Sequence, residues 1–94
     1  MDYLKATDAI YLNDENGNRV AEICFPEIRS GVVDIVHTKV DPSLAGHGIA
    51  GELTRETAKR LRADGRKAVL TCPYAVRWFA QHPEYSDVLE EFGR

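Results

Sequence analysis

The chain has 94 residues, of which 44% are hydrophobic and 29% charged, and its formal net charge is −3. This length predicts a single domain over residues 1–94, and the acidic balance argues against nucleic acid or an anionic membrane surface as a partner. No apolar run approaches the ~20 residues that span a bilayer, and no signal peptide is evident, so a cytoplasmic location is expected. The two cysteines, Cys24 and Cys72, are expected to be free thiols, and their spacing indicates no metal site.

The first half of the chain is typical of antiparallel strands. Residues 8–13 and 19–25 are short apolar or alternating runs, and the turn residues at 14–18 join them. Pro26 interrupts the second run, and Cys24 just before it is expected to lie in the core. A β-branched strand is predicted over residues 31–40. Together these runs indicate a three- or four-stranded antiparallel meander.

The second half of the chain alternates helix and strand. A long helix is predicted from Gly46 or Gly48 to about Asp64, with Gly65 as its C-terminal cap. Residues 67–72 form a short strand, which should lie parallel to strand 31–40 because a helix connects the two. A second helix or a turn is predicted over 73–81, and a short helix over 86–92, the latter capped by Ser86. The fold class is therefore α/β (α+β), with a mostly antiparallel mixed sheet and a central helix.

The turn at residues 45–51 has the sequence Ala-Gly-His-Gly-Ile-Ala-Gly. The first turn of a helix leaves backbone N–H groups unpaired and carries partial positive charge, so a phosphate or pyrophosphate fits there. The glycines match G-x-G-x-x-G, but five residues separate Val40 from Gly46 and no acidic residue ends the next strand. A Rossmann fold is therefore disfavoured, and the lack of Gly-Lys-Ser/Thr excludes a P-loop. The alternative is that these glycines serve packing alone.

The same turn resembles motif A of the GCN5-related N-acetyltransferases (GNAT family). Gly48 and Ala50 fill the last two positions of its Gln/Arg-x-x-Gly-x-Gly/Ala signature, and Ala45 replaces the Gln/Arg. Further segments follow the order of a short subgroup of this family: His37-Thr38-x-Val40-x-Pro42, Cys72-Pro73-Tyr74 and His82-Pro83-Glu84-Tyr85. The resemblance, which covers residues 37–85, implies a GNAT-like fold with a splayed parallel strand pair, acetyl-CoA as cofactor and acetyl transfer to an amine.

The resemblance also implies where acetyl-CoA binds. Backbone at Val40 pairs with the pantetheine arm and helps to polarise the thioester carbonyl, which stabilises a developing oxyanion. The pyrophosphate contacts are carried over to the backbone N–H groups of the turn, namely Gly46, His47, Gly48, Ile49, Ala50 and Gly51. The basic helix face that follows (Arg55, Lys59, Arg60, Arg62) is either solvated or adds attraction for the 3′-phosphate.

Cys72 and His37 are the predicted catalytic residues. Cys72 ends the second splayed strand, where a thiol could protonate the leaving CoA thiolate or accept the acetyl group; alternatively it is a small core residue. His37 interrupts an apolar strand and is either a general base or bonded to a backbone group inside the sheet. The tyrosine acid of many family members is replaced in its region by Trp78 and Phe79, and neither nearby tyrosine matches that role.

The acceptor amine is not identified by the sequence. Only the turn at 14–18 stands where larger relatives carry helices, which predicts an open, shallow groove suited to an exposed protein amine or a polyamine. Glu22 and Asp34 could orient that amine, or they are solvent-facing carboxylates. Two other classes stay open: a CoA-binding module without turnover, and an interaction protein that binds no nucleotide.

Overall fold

The computed structural model describes residues 3–90. No helix in this part of the chain is both long and apolar enough to cross a membrane. The strands and helices follow in the order β1 (Leu4–Lys5), β2 (Ala9–Asn13), β3 (Arg19–Cys24), β4 (Glu27–Arg29), β5 (Val32–Ile35), β6 (His37–Val40), a 3₁₀ helix (Pro42–Leu44), α1 (Ile49–Asp64), β7 (Lys67–Leu70), α2 (Pro73–Gln81) and a second 3₁₀ helix (Pro83–Val88).

The first sheet is antiparallel and has the strand order β1-β2-β3-β6. The turn predicted between β2 and β3 is confirmed: the Asp14 carboxylate accepts the N–H groups of Asn16 and Asn18, each at 2.9 Å. Gly17 takes a φ of 83°, a left-handed conformation that glycine adopts without steric cost. The turn chemistry therefore fixes the register in which β3 returns along β2.

The long strand predicted over residues 31–40 is divided at Val36, and its two halves join different sheets. The first half, β5, lies in the second sheet, whose order is β4-β5-β7, and pairs with β7 in parallel as expected. The second half, β6, pairs with β3. The Val36 N–H donates to the Cys24 carbonyl at 3.0 Å, which anchors the point where the chain crosses from one sheet to the other.

The two parallel strands separate beyond Ile35. The Ile35 carbonyl accepts hydrogen bonds from the N–H groups of both Thr71 and Cys72, at 3.1 and 2.9 Å. Because both donors share this one acceptor, the regular pairing of β5 with β7 ends here. Strand β7 consequently stops at Leu70 rather than at the predicted Cys72. The splayed parallel pair is confirmed, and Cys72, at the start of α2, remains in contact with Thr38 of β6.

Helix α1 packs its apolar face on β2, β3 and β6. Leu53 and Leu61 are fully buried and meet Ile10 and Ile23 in one core cluster. The buried hydroxyl of Thr57 donates to the Leu53 carbonyl at 2.9 Å, so this polar group costs no unpaired hydrogen bond. The predicted C-terminal cap is confirmed, because Gly65 takes a φ of 71° and donates to the carbonyls of Arg62 and Leu61.

The C-terminal segment differs from the prediction of a helix over 86–92. A 3₁₀ helix spans Pro83–Val88 instead, and Ser86 lies inside it rather than capping a helix; residues 91 and 92 lie outside the described part. Tyr85 and Val88, three residues apart, are both buried. The three-residue repeat of a 3₁₀ helix places both side chains on one face, which packs into the core.

Candidate active site

The glycine turn connects β6 to α1 through a short 3₁₀ helix. Asp41 caps that helix, since its carboxylate accepts the Ser43 N–H at 2.9 Å, and this contact holds the pKa of Asp41 below its ordinary value. Gly46 and Gly48 follow with φ values of 86° and 72°. Left-handed backbone is costly for any residue with a Cβ, so these two positions require glycine for the chain to enter α1 sharply.

The start of α1 carries a set of free backbone donors. The helical hydrogen bonds begin with the Glu52 N–H, which donates to the Gly48 carbonyl at 3.1 Å. The His47 N–H makes a long bond of 3.4 Å to the Leu44 carbonyl. Within residues 3–90, five turn amides have no hydrogen-bond acceptor: Gly46, Gly48, Ile49, Ala50 and Gly51.

A cleft of about 170 Å³ lies against these donors. Its walls are the end of β6 at Val40, the turn itself and the side chain of Tyr74 from α2. The Tyr74 hydroxyl and the Trp78 indole nitrogen lie 3.5 and 3.7 Å from the place where a Cβ on Gly51 would stand. These are ordinary van der Waals distances, so they show that α2 packs directly against the first turn of α1.

Tyr74 is the cleft residue that sequence reasoning left without a role. It is the second residue of α2, and the only signal for it was its place in the Cys72-Pro73-Tyr74 segment. Burial raises the pKa of its phenol, so the hydroxyl is protonated at neutral pH and is able to donate a hydrogen bond into the cleft.

Charged side chains near the first turn of α1 are arranged around the cleft. The Glu52 carboxylate, which would repel an anion there, accepts a hydrogen bond from the Tyr3 hydroxyl. The same carboxylate, together with burial, raises the pKa of Tyr3. Arg55 lies one turn further along α1, with its guanidinium carbon 5.8 Å from the centre of the Trp78 ring.

Cys72 lies at the splay between the two sheets. It is only 4% exposed, and its Sγ is 3.8 Å from the Thr38 hydroxyl on β6. Its backbone N–H donates to Ile35, the last paired residue of β5, and its own position is the N-cap of α2. The thiol therefore lies between β6 and the start of α2, and it also belongs to the buried core cluster, as the alternative of a small core residue expects.

His37 lies on the other face of β6. Its Nε2 atom is 2.7 Å from Oε2 of Glu22 on β3, and the side chain is exposed. Neighbouring strand residues point to opposite faces, so Thr38 contacts Cys72 while His37 does not. The two predicted catalytic residues are thus held apart by the sheet, and the partner of His37 is a carboxylate rather than a backbone group.

Glu22 and Cys24 share that outer face with His37. The hydrogen bond from His37 lowers the pKa of Glu22, and Arg19 reinforces this at 3.2 Å. Cys24, which was expected in the core, is half-buried, with its Sγ 3.8 Å from Glu22 Oε2. Strand alternation explains the difference, because Ile23 takes the inward position and Cys24 the outward one.

Asp34 lies beside the splay on β5. One of its carboxylate oxygens accepts the Thr71 hydroxyl at 2.9 Å. The other, Oδ1, is buried and has no hydrogen-bond partner among the described residues. Buried carboxylate oxygens normally have a hydrogen-bond partner, so this oxygen is an available acceptor. Thr71, which donates to the other oxygen of Asp34, directly precedes Cys72 in the chain.

Two sheets that splay beside a helix with free N-terminal amides form an arrangement able to hold a phosphate-bearing cofactor. The family model described as GCN5-related N-acetyl-transferase matches residues 9–88, and the chain belongs to that family. A search of curated proteins found no significant match.

Solved structures show the same fold. A GCN5-like protein from Staphylococcus aureus is 24% identical with a TM-score of 0.76, and the match covers 97% of this chain and 92% of that one. A GNAT family N-acetyltransferase from Escherichia coli in complex with CoA is 21% identical with a TM-score of 0.59, over 68% of this chain and 39% of that one. A Mycobacterium tuberculosis protein in complex with CoA is 20% identical with a TM-score of 0.61, over 81% of this chain and 47% of that one. This chain thus spans less than half of the two CoA complexes.

Proposed function

We propose that the protein is an acetyl-CoA-dependent N-acetyltransferase that acts on an exposed amine. The observation that carries this proposal is the group of five unpaired amides at the start of α1, placed beside the splay that holds Cys72. The match of residues 9–88 to the GCN5-related family supports the same reaction class. Residues 1–94 would act as one domain, which the single core cluster of strands and helices supports.

The turn fits the diphosphate of CoA. Its left-handed Gly46 and Gly48 expose backbone N–H groups to the cleft, and no side chain fills the space near either one. Each hydrogen bond from such a donor to a charged oxygen stabilises binding by about 1.5–3 kcal/mol. The Tyr74 hydroxyl adds a donor from α2. Arg55 adds positive charge on the second turn of α1.

The free edge of β6 fits the pantetheine arm. Among the described strands β6 pairs only with β3, so its other edge, which ends at Val40, has backbone groups available to the amides of pantetheine. An arm paired there leads from the turn toward Cys72. The backbone N–H at Val40 would polarise the thioester carbonyl, a donor contribution of ~3 kcal/mol in the transition state.

Cys72 has two chemically balanced roles in this arrangement. As an acyl carrier, its sulfur attacks the thioester carbon, the carbon–sulfur bond to CoA breaks, and the thiol proton passes to the leaving CoA sulfur. The amine then attacks the acetyl-cysteine, the carbon–sulfur bond to Cys72 breaks, and the proton lost by the amine restores the thiol. As an acid, its thiol donates a proton to the CoA sulfur while the amine attacks acetyl-CoA directly. The 3.8 Å contact between the Cys72 Sγ and the Thr38 hydroxyl supports either role, because it puts the thiol beside the strand along which the pantetheine arm would run.

The acceptor amine would approach from the face opposite α1. Asp34 alternates on β5 with the buried Val33 and Ile35, and its unpartnered Oδ1 would accept a hydrogen bond from an ammonium or amine that reached it. The short turn at 14–18 places no additional element between β2 and β3. These features suit a protein amine or a polyamine, whereas the base role of His37 stays a prediction, because Glu22 holds its imidazole on the outer face.

A second candidate function is CoA binding without turnover. Trp78 and Phe79, which stand in the region of the usual tyrosine acid, are both buried and carry no proton donor suited to a thiolate. This candidate predicts binding of acetyl-CoA with no CoA release beyond spontaneous hydrolysis.

The test is product analysis with acetyl-CoA, a polyamine and a lysine-containing peptide. Transfer predicts CoA release that depends on the amine, with an acetylated product in mass spectra. Cys72→Ala should slow that release strongly, and trapped wild-type enzyme should carry an acetyl group if Cys72 is a carrier. Unchanged turnover of Cys72→Ala with no acetyl-enzyme rules out both roles of the thiol, and absence of amine-dependent release favours the binding module.

A further inference from the structure

Three side chains with different ligand chemistry meet on the outer face of the β3–β6 ladder. Glu22 and Cys24 are two residues apart on β3, so they share a face, and His37 is the partner of Cys24 across the ladder. One ligand atom from each lies within 4.8 Å of the other two. The closest pair is His37 Nε2 and Glu22 Oε2 at 2.7 Å, and Cys24 Sγ lies 3.8 Å from the same oxygen.

A thiolate, an imidazole and a carboxylate form a ligand set that suits Zn²⁺. Zinc binds sulfur at about 2.3 Å and nitrogen or oxygen at about 2.0–2.2 Å, with tetrahedral geometry. Donor atoms around such an ion are separated by roughly 3.4–3.6 Å. The distance from Glu22 Oε2 to His37 Nε2 (2.7 Å) is shorter than this separation, and the distance from Glu22 Oε2 to Cys24 Sγ (3.8 Å) is longer. Small side-chain rotations would therefore bring all three donor atoms to one ion.

The surroundings orient two of the three donors. Arg19 donates to Oε1 of Glu22 at 3.2 Å, which leaves Oε2 facing His37 and Cys24. The paired backbones of β3 and β6 fix the spacing between Cys24 and His37. Outer contacts of this kind preset the direction of metal ligands and strengthen binding.

We infer that Glu22, Cys24 and His37 form a Zn²⁺ site with three protein ligands and a fourth position open to solvent. Half-burial of Glu22 and Cys24 and the exposure of His37 place the ion at the surface, where water reaches the fourth position. Zinc would displace the proton of the Cys24 thiol on binding and pair with neutral imidazole. The site lies on the sheet face away from Cys72, so its occupancy is separate from the transfer chemistry proposed above.

Cobalt serves as the spectroscopic probe, because a bond between Co²⁺ and a thiolate produces a charge-transfer band in the near ultraviolet. Titration of the reduced, metal-free protein with Co²⁺ should produce this band and visible bands of tetrahedral coordination, saturating at one ion per chain. Zn²⁺ should then abolish both, since zinc binds such sites more tightly than cobalt. Zinc should also raise the midpoint of thermal unfolding, because it binds the folded chain.

Matched variants assign the ligands. Cys24→Ser should lose the charge-transfer band, whereas Cys72→Ser should keep it, as these are the two thiols of the chain. His37→Ala should weaken Co²⁺ binding by at least about 100-fold, and His47→Ala, in the glycine turn, should leave it unchanged. Circular dichroism confirms that each variant is folded. Absence of the band in the wild type, or its survival in folded Cys24→Ser, would overturn the site; neither result bears on acetyl transfer.

Discussion

The substitution Gly48→Ala separates the conformational role of the glycine turn from its proposed role in binding. Gly48 is the N-cap of α1 with a φ of 72°, and Gly65 is the C-cap of the same helix with a φ of 71°. A Cβ at either position meets no other atom within 4 Å. Alanine therefore imposes the same kind of backbone strain at both ends, while only Gly48 lies in the turn.

The expected cost in stability is similar for Gly48→Ala and Gly65→Ala. An L-residue in left-handed backbone costs roughly 1–2 kcal/mol. At about 4–8 °C per kcal/mol for a domain of this size, each variant should unfold roughly 4–15 °C below the wild type. Both should remain folded at room temperature, because native domains are stable by about 5–15 kcal/mol.

The affinity for acetyl-CoA, in contrast, should fall in Gly48→Ala and not in Gly65→Ala. Relief of strain at residue 48 rotates the adjoining peptide groups, so one donor to the diphosphate is lost. A hydrogen bond to a charged group contributes about 1.5–3 kcal/mol, which corresponds to a roughly 10- to 100-fold weaker Kd. Isothermal titration calorimetry with acetyl-CoA should show this loss for Gly48→Ala and wild-type affinity for Gly65→Ala. Equal affinity in the two variants, whether weakened or normal, would refute the assignment of the turn as the diphosphate site.

Three further predictions concern the thiol of Cys72, the hydrophobic core, and the loss of stability at acid pH. Digestion of enzyme trapped with acetyl-CoA should place any acetyl group on the peptide that contains Cys72; a label on Cys24 would contradict the acyl-carrier role. Leu53→Ala should lower the free energy of unfolding by about 2–5 kcal/mol in urea titrations, since this side chain is fully buried, whereas Val76→Ala, with 48% exposure, should change it by less than about 0.5 kcal/mol. The hydrogen bond from Arg62 holds the pKa of Asp87 below its ordinary 3.8, so this contribution is present above that pH and is lost as pH falls through the lowered value. Asp87→Asn should therefore flatten the decline of unfolding free energy below about pH 4; an unchanged slope would show that the pair adds nothing.

Local sequence chemistry predicted the parts of the fold that depend on neighbouring residues. The turn at 14–18 needed only the Asp14 side chain and a glycine with positive φ, and the limits of α1 needed only Gly48 and Gly65. The parallel pairing of β5 with β7 followed from the helix between them, because a helical crossover returns the chain to the end of the sheet at which the first strand began.

Features that depend on tertiary contacts escaped prediction. No glycine or proline in the run from Val32 to Val40 marks the break at Val36, and it is the distant Cys24 carbonyl that anchors it. The placement of His37 on the outer face depends on the register of β6 against β3, which no local pattern records. Tyr74 was overlooked for the same reason, since only the packing of α2 on Gly51 brings its hydroxyl to the cleft.

Thermal unfolding with and without acetyl-CoA tests the central claim most directly, with CoA and NAD as comparisons. A ligand at about 100-fold over its Kd stabilises the folded state by about 2.7 kcal/mol, which raises the midpoint by roughly 10–20 °C for a chain of this length. The account predicts such a rise with acetyl-CoA and with CoA but not with NAD. No rise at millimolar acetyl-CoA would contradict it and leave the glycines of the turn with a packing role alone.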